Sequence, residues 1–219
     1  MARNPNLQRE DSFFLDKNRS RTIILASTSP RRRDLIAGLH IPYEVVPSHA
    51  DESTPEGWTP EQIVKELSLR KASAVYGELV PAREDAVIVG SDTIVVLDGQ
   101  VLGKPSSREE AASMLRSLQG RTHLVYTGVA CIDGGTGSTL VDYKSTRVTM
   151  RALTEDEVRA YADSGEGLDK AGAYAIQGLG ATLVTGIEGC YFNVVGLPLS
   201  LLSEMLKSFN LLVLKSRSS

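Results

Sequence analysis

The sequence predicts an α/β protein built on a mixed sheet, and three features point there. Residues 23–79 alternate strand-like and helix-like patterns in βαβα order, the pattern of a parallel sheet with crossover helices. Ala86–Gly90 is a continuous apolar run, as expected for a strand buried on both faces. Beyond it the pattern changes to hairpins between helices, which adds antiparallel pairs. The same change suggests a second lobe around residues 104–165.

In chain order, Ile23–Ala26 reads as a short buried strand and Ser27-Thr28-Ser29 as a hydroxyl-rich turn. A helix follows from Pro30 to about His40, with Ser29 as its cap. Arg31, Arg32 and Arg33 then crowd a helix N-terminus that is already positive, where each cation is disfavoured by about 0.3–1 kcal/mol. An anionic ligand would resolve the misfit, and a strand-to-helix turn is where α/β proteins hold phosphate. Tyr43–Val46 is a second strand, and a polar loop from Pro47 to Trp58 carries Asp51 and Glu52.

Thr59, Pro60 and Gln62 open a long helix to about Leu79 with a capping box. Val64, Leu67, Lys71 and Val75 share one face of it. Lys71 in that apolar stripe is either a snorkelling side chain at the core edge or an ammonium aimed into a cleft. The apolar strand is expected to end at Ser91-Asp92-Thr93. Ile94–Leu97 continues to a two-residue hairpin at Asp98-Gly99 and returns through Val101-Leu102 to Lys104. Ser106 or Ser107 caps a helix that buries Ala111, Ala112, Met114, Leu115 and Leu118 and stops at Gly120. Strands over 122–133 and 138–151 flank the glycine-rich turn at 134–137. A helix spans about 154–164, and residues 166–180 carry few signals. Short strands are expected at 181–187 and 190–195, and a closing helix at 197–209.

Composition sets the limits. With 42% apolar and 23% charged residues in 219, the chain can bury a sizeable core. It divides into a tail (1–20), one domain (21–210) and a C-terminal tail (211–219). A net charge of −3 argues against a nucleic-acid polymer as partner. No apolar run approaches the ~20 residues of a membrane span. The first twenty residues lack a signal-peptide core and contain Glu10, Asp11 and Asp16, which weakens a transit-peptide reading. Cys131 and Cys190 suit a reducing compartment, and with no targeting signal read in the sequence a cytoplasmic location is expected. His40, His49 and His123 are scattered singly and read as incidental.

Charged residues gather at the ends of elements, where α/β proteins build sites. The cations are Arg31, Arg32, Lys71, Lys104 and Lys170, and the anions are Glu52 and Asp92. Ser27, Ser29 and Thr93 add small polar groups. Asp92 is either a turn cap or a carboxylate held at a cleft floor. Two carboxylates suit a divalent cation shared with substrate oxygens, and cations suit the charge that develops in phosphoryl chemistry. One carboxylate could instead orient and deprotonate a water. No Walker loop or dinucleotide fingerprint is present, so a kinase or a Rossmann dehydrogenase is not expected.

Several stretches together resemble the Maf family: LASTSPRRRDL (25–35), Asp51-Glu52, Leu69-Arg70-Lys71-Ala72, GSDTIVVLDGQVLGKP (90–105), LDKAGAYAIQG (168–178) and VVGLPL (194–199). The resemblance covers about residues 22–209. It implies a single catalytic domain of the Maf/inosine-triphosphatase-like kind, an elongated mixed sheet with flanking helices in two lobes around a central cleft. The implied activity is hydrolysis of a nucleoside triphosphate to the monophosphate and pyrophosphate with Mg, Mn or Co, by a homodimer that cleans the nucleotide pool. The family's proton acceptor falls on Asp92, and its supporting residues on Ser27, Arg31, Arg32, Glu52, Lys71 and Lys104. Three positions tied to base preference fall on Arg31, Thr93 and Gln177, matching members that act on dTTP and UTP rather than those preferring 7-methyl-GTP. Two rival readings are a nucleotide-binding regulator of cell division or septation, and a purine-selective ITP/XTP pyrophosphatase.

Overall fold

The computed structural model describes residues 21–79 and 82–214. The expected N-terminal tail and the last five residues of the C-terminal tail lie outside the described residues. Seven strands form one sheet: β1 (Thr22–Ala26), β2 (Tyr43–Val45), β3 (Ala86–Leu97), β4 (Gln100–Leu102), β5 (Thr122–Asp133), β6 (Thr139–Met150) and β7 (Val184–Glu188). Their order is β2-β1-β3-β5-β6-β7, with β4 added to β3. β1 pairs in parallel with β2 and β3, whereas β3, β5, β6 and β7 pair antiparallel. The mixed sheet is therefore present, with the parallel pairs at the start of the chain.

Among the described residues six α-helices flank it: α1 (Pro30–Ala37), α2 (Pro60–Leu79), α3 (Arg108–Leu118), α4 (Glu155–Ser164), α5 (Tyr191–Val195) and α6 (Leu199–Lys207). Local sequence explains their ends. Thr59 and Gln62 form the expected capping box on α2 (2.9 and 3.3 Å), and Ser107 caps α3 through the Glu110 amide at 3.1 Å. Thr154 and Glu157 form a second box on α4, which ends at Gly165 in the left-handed region. The Asp98-Gly99 turn has both central residues at positive φ, as a two-residue hairpin of this hand requires.

Three expectations are corrected. β3 does not end at Ser91-Asp92-Thr93 but runs unbroken for twelve residues to Leu97. The change lies in its partner: β1 stops at Ala26 opposite Gly90, and pairing with β4 starts only at Val95, opposite Leu102. Asp92 therefore sits mid-strand, in a gap along one edge of β3, while the other edge stays paired to β5. Residues 190–195 are helical, not extended. Gly189 and Gly196, both at positive φ, bracket six apolar-rich residues, and a run this short does not reveal its period. α1 stops at Ala37 rather than near His40, and Ser29 makes no side-chain cap.

The core falls into packed groups on both sheet faces. α2 covers one face, with Val64, Leu67, Ala72 and Val75 against Ile88, Ile94 and Val96. α6 covers the other over β1 and β3, with Leu202 and Leu206 near Ile23 and Val89. α3 and α4 pack at the far ends of β3, β5 and β6. Gly90 and Gly128 let α2 approach closely: a Cβ at either would lie 2.2 Å from the Ser68 carbonyl or 2.0 Å from that of Val64. That contact brings Lys71 down onto β3.

Candidate active site

A cleft of about 300 Å³ opens over the gap in the β3 edge. Every site residue expected from the sequence lines it: Ser27, Arg31, Arg32, Glu52, Lys71, Asp92, Thr93, Lys104, Lys170 and Gln177.

At its floor, Lys71 Nζ donates to Asp92 Oδ1 at 2.6 Å and lies 2.7 Å from Glu52 Oε1. Of the two readings open for Lys71, the cleft-facing ammonium is the one the structure adopts. Asp92 is buried and its other oxygen is free of these contacts, while Glu52 is half-exposed on the loop before α2. The loop is pinned by the neighbour of Lys71: Arg70 Nη1 donates to the carbonyls of Asp51 (3.3 Å) and Ser53 (2.6 Å), and Glu66 holds its Nε at 2.9 Å. The hydrogen bond from Lys71, aided by the charges of Lys71, Lys104 and Arg32, outweighs partial burial and holds the Glu52 carboxyl below its usual range. Asp51 faces Ser53 rather than the cleft.

The opposite wall is the turn from β1 into α1. Ser27 Oγ, not Ser29, accepts the Ser29 amide at 3.1 Å. Arg32 turns inward, donating to the Gly196 carbonyl at 2.7 Å and to Thr93 Oγ1 at 2.9 Å, with Ser27 Oγ at 3.5 Å. Burial pulls its pKa down against the opposing pull of Asp92 and Glu52. Thr127 donates to the Asn193 carbonyl at 2.8 Å, so the Thr93 hydroxyl, 2.9 Å away, must give its proton to Thr127 while accepting from Arg32. Thr93 thus holds Arg32 in place. Arg31 meets Asp169 at 3.2 Å, and Lys170 meets the same carboxylate at 2.5 Å. Arg33 is exposed.

The cleft is not polar throughout. Val95, Val125, Tyr174 and Val194 pack together as an apolar part of the lining, and Val195 and Gln177 line the same cleft. His123, Val125 and Thr127 alternate on one face of β5 and back this wall. His123 Nε2 lies 2.7 Å from the Tyr174 hydroxyl, and burial pulls its pKa down to about 4. Asn193, Thr127, Ser91, Tyr174 and Arg70 were not singled out as candidates by their sequence pattern. Arg70, Ser91 and Tyr174 do fall within stretches 69–72, 90–105 and 168–178 that carry the family resemblance.

Among the described residues no three His, Cys, Asp or Glu side chains converge as metal ligands. Two carboxylates do converge, on Lys71. One or two carboxylates completed by substrate oxygens and water is the donor set magnesium takes, so Glu52 and Asp92 fit a divalent cation that arrives with a phosphate substrate. Among the described residues no helix is long and apolar enough to cross a membrane.

Cations on one wall, paired carboxylates on the floor and an apolar part of the lining agree with the family model described as "Maf-like protein", which matches residues 22–209. The chain belongs to the Maf family. A dTTP/UTP pyrophosphatase of Pelotomaculum thermopropionicum is 52% identical over 192 residues, covering 88% of this Maf chain and 98% of that protein. One of Moorella thermoacetica is 52% identical over 187 residues, covering 85% and 94%. Among solved structures, a nucleoside-triphosphatase / dITP/XTP pyrophosphatase of Mycobacterium abscessus aligns with a TM-score of 0.41 and 15% identity. That alignment covers 86% of this Maf chain and 97% of the other, a likeness too loose to bear on its chemistry.

Proposed function

We infer that this Maf protein is a nucleoside triphosphate pyrophosphatase that converts dTTP and UTP to the monophosphate and pyrophosphate. The observation that carries the reading is the Lys71 ammonium shared between Glu52 and Asp92, facing Arg32 across the cleft. The relatives named dTTP/UTP pyrophosphatase, matched over nearly their whole length, supply the substrate class.

In this reading the triphosphate lies along the cationic wall, and the nucleobase meets the apolar part of the lining and Gln177. Asp92 takes the proton of a water that attacks the α-phosphorus, and the bond to the bridging oxygen breaks as pyrophosphate leaves. Ser27, Arg31, Arg32, Lys104 and Lys170 bind the phosphates and stabilise charge on the departing group. Lys71 fixes Asp92 so that its free oxygen faces the water. A divalent cation (Mg, Mn or Co), held by Glu52 and Asp92 with substrate oxygens, would neutralise phosphate charge. Thr93 acts through Arg32. Gln177, with an amide that both donates and accepts, suits the edge of uracil or thymine. The family resemblance carries the expectation of a homodimer, which light scattering on the purified protein tests.

Pyrophosphate release from dTTP, UTP, CTP, GTP, ITP and XTP with each metal is the deciding assay. Turnover of dTTP and UTP ahead of the purines is expected. No release from either under any of the three metals would sink the reading, and preference for ITP or XTP would replace it with the purine alternative.

A further inference from the structure

Gln177 sits on a segment with little regular structure of its own, between the short 3-10 turns Ala171–Ala173 and Gly178–Leu183. Sheet hydrogen bonds do not hold it; the side chains of Tyr161 in α4 and Glu166 just beyond it do. The Tyr161 hydroxyl accepts the Ala175 amide at 3.0 Å and donates to Glu166 Oε1 at 2.9 Å. Glu166 Oε1 also accepts the Gly180 amide at 2.8 Å, and Oε2 accepts that of Leu179 at 3.0 Å. The two side chains therefore grip the backbone on both sides of Ile176 and Gln177.

We propose that Tyr161 and Glu166 form a clamp that positions Gln177, and through it sets the choice of nucleobase. The proposal rests on the pyrimidine triphosphate reading above. Three further observations support it. Among the described residues the Glu166 carboxylate makes no ion pair, since Lys170 bonds the Glu166 backbone carbonyl and Asp169 instead. Its acceptor capacity is spent on two backbone amides and one hydroxyl. Two glycines also make room for the grip. A Cβ at Gly178, which lies at φ +64°, would fall 2.5 Å from Glu166 Oε2, and one at Gly180 would fall 2.1 Å from the Ala175 carbonyl and 2.6 Å from the Tyr161 hydroxyl. Finally, although burial works against it, the two amides, the Tyr161 hydroxyl and the charge of Lys170 together hold the Glu166 carboxyl below its usual range. It is therefore an ionised acceptor at neutral pH. The left-handed turn at Gly165 brings Glu166 back beneath the segment.

Tyr161 and Glu166 touch no substrate in this arrangement; they are positioning residues. Glu166→Gln is nearly isosteric but leaves a single acceptor oxygen for three donors and turns an N–H₂ toward one of them. Tyr161→Phe keeps the buried ring and removes only the hydroxyl. Both variants of the full chain would be assayed against UTP, dTTP and GTP, alongside Glu155→Gln. That control removes an exposed carboxylate of α4 paired with Arg116 and Arg159. The expected result is a KM for UTP and dTTP raised about tenfold with kcat within about threefold, and a UTP-over-GTP ratio of kcat/KM lowered about tenfold. Amide hydrogen exchange at residues 175–180 should quicken in both variants while β3 stays protected.

A uniform fall in kcat for all three nucleotides with an unchanged ratio would overturn the proposal, as would an equal shift in Glu155→Gln. So would unchanged exchange at 175–180 in both variants. Wild-type protein inactive on pyrimidine triphosphates would instead count against the functional reading, and the exchange measurement would still decide whether the clamp holds the segment.

Discussion

One ammonium, Lys71 Nζ, lies within 2.7 Å of carboxylates from a loop and from mid-strand. That arrangement leaves Asp92 with one oxygen fixed and one available to a water. Asp92→Asn keeps the shape and removes the base. Turnover should fall by about 10²–10⁴-fold while nucleotide still binds, as read by steady-state kinetics and calorimetric titration. Turnover at the wild-type level would remove Asp92 from the mechanism. Arg31, Arg32 and Asp92 were legible in the sequence because each carries its own signal: a cation at a helix start, or a carboxylate at the end of an apolar run. Ser27 and Thr93 were legible as small polar groups beside them, but other neutral residues were not. Ser91, Thr127 and Tyr174 act through partners 37 to 105 positions away, and nothing in their local pattern announces those partners.

The reach of Lys71 depends on how close α2 lies to the sheet. Gly128 pairs with Asp92 across β3 and β5, and a Cβ there would sit 2.0 Å from the Val64 carbonyl. In Gly128→Ala, α2 must lift or shift. The expected cost is about 1–3 kcal/mol of stability, with a further loss of kcat as Lys71 moves off Asp92. Denaturant unfolding and kinetics on the same sample check both, and a destabilised variant with unaltered kcat would break the link between packing and chemistry. Helix positions were readable from caps and stripes: α2, α3, α4 and α6 begin within two residues of where the sequence put them. β3 was misjudged because the polar trio Ser91-Asp92-Thr93 looks like a terminus. It is tolerated mid-strand because one flank is open cleft there, and because Ser91 bonds the Gly128 and Gly196 carbonyls.

Across the molecule, stability should respond to acid through a buried histidine. His123 has a folded pKa of about 4 against 6.5 for the free side chain, because burial disfavours its charge. Between those values the unfolded chain binds more protons than the folded one, so stability rises with pH through this window and is lost as pH falls. The difference is about 3 kcal/mol. Unfolding free energies at pH 7 and pH 4.5 should differ accordingly, and His123→Gln should flatten the difference if that variant folds. Protection of Glu52 acts in a lower window. Its depressed pKa favours the fold above the usual carboxylate value of 4.5, and the benefit fades as pH drops through the folded value. The mixed sheet was legible in the order of patterns, but the placement of β3 between β1 and β5 was not, since strand partners and register depend on contacts that a single sequence leaves unspecified.

Arg21 joins the first and last parts of this core, donating to the Phe209 carbonyl at 2.7 Å, to Ala86 at 3.1 Å and to the Asp133 carboxylate at 2.7 Å. The junction lies at the start of β1, whose five residues place it about 16 Å from the Ser27 edge of the cleft. Both ends of the core are thus tied together away from the mouth where nucleotide enters. A fused partner or an immobilising tether at either end should leave substrate traffic free, with kcat/KM within about twofold of the untethered protein.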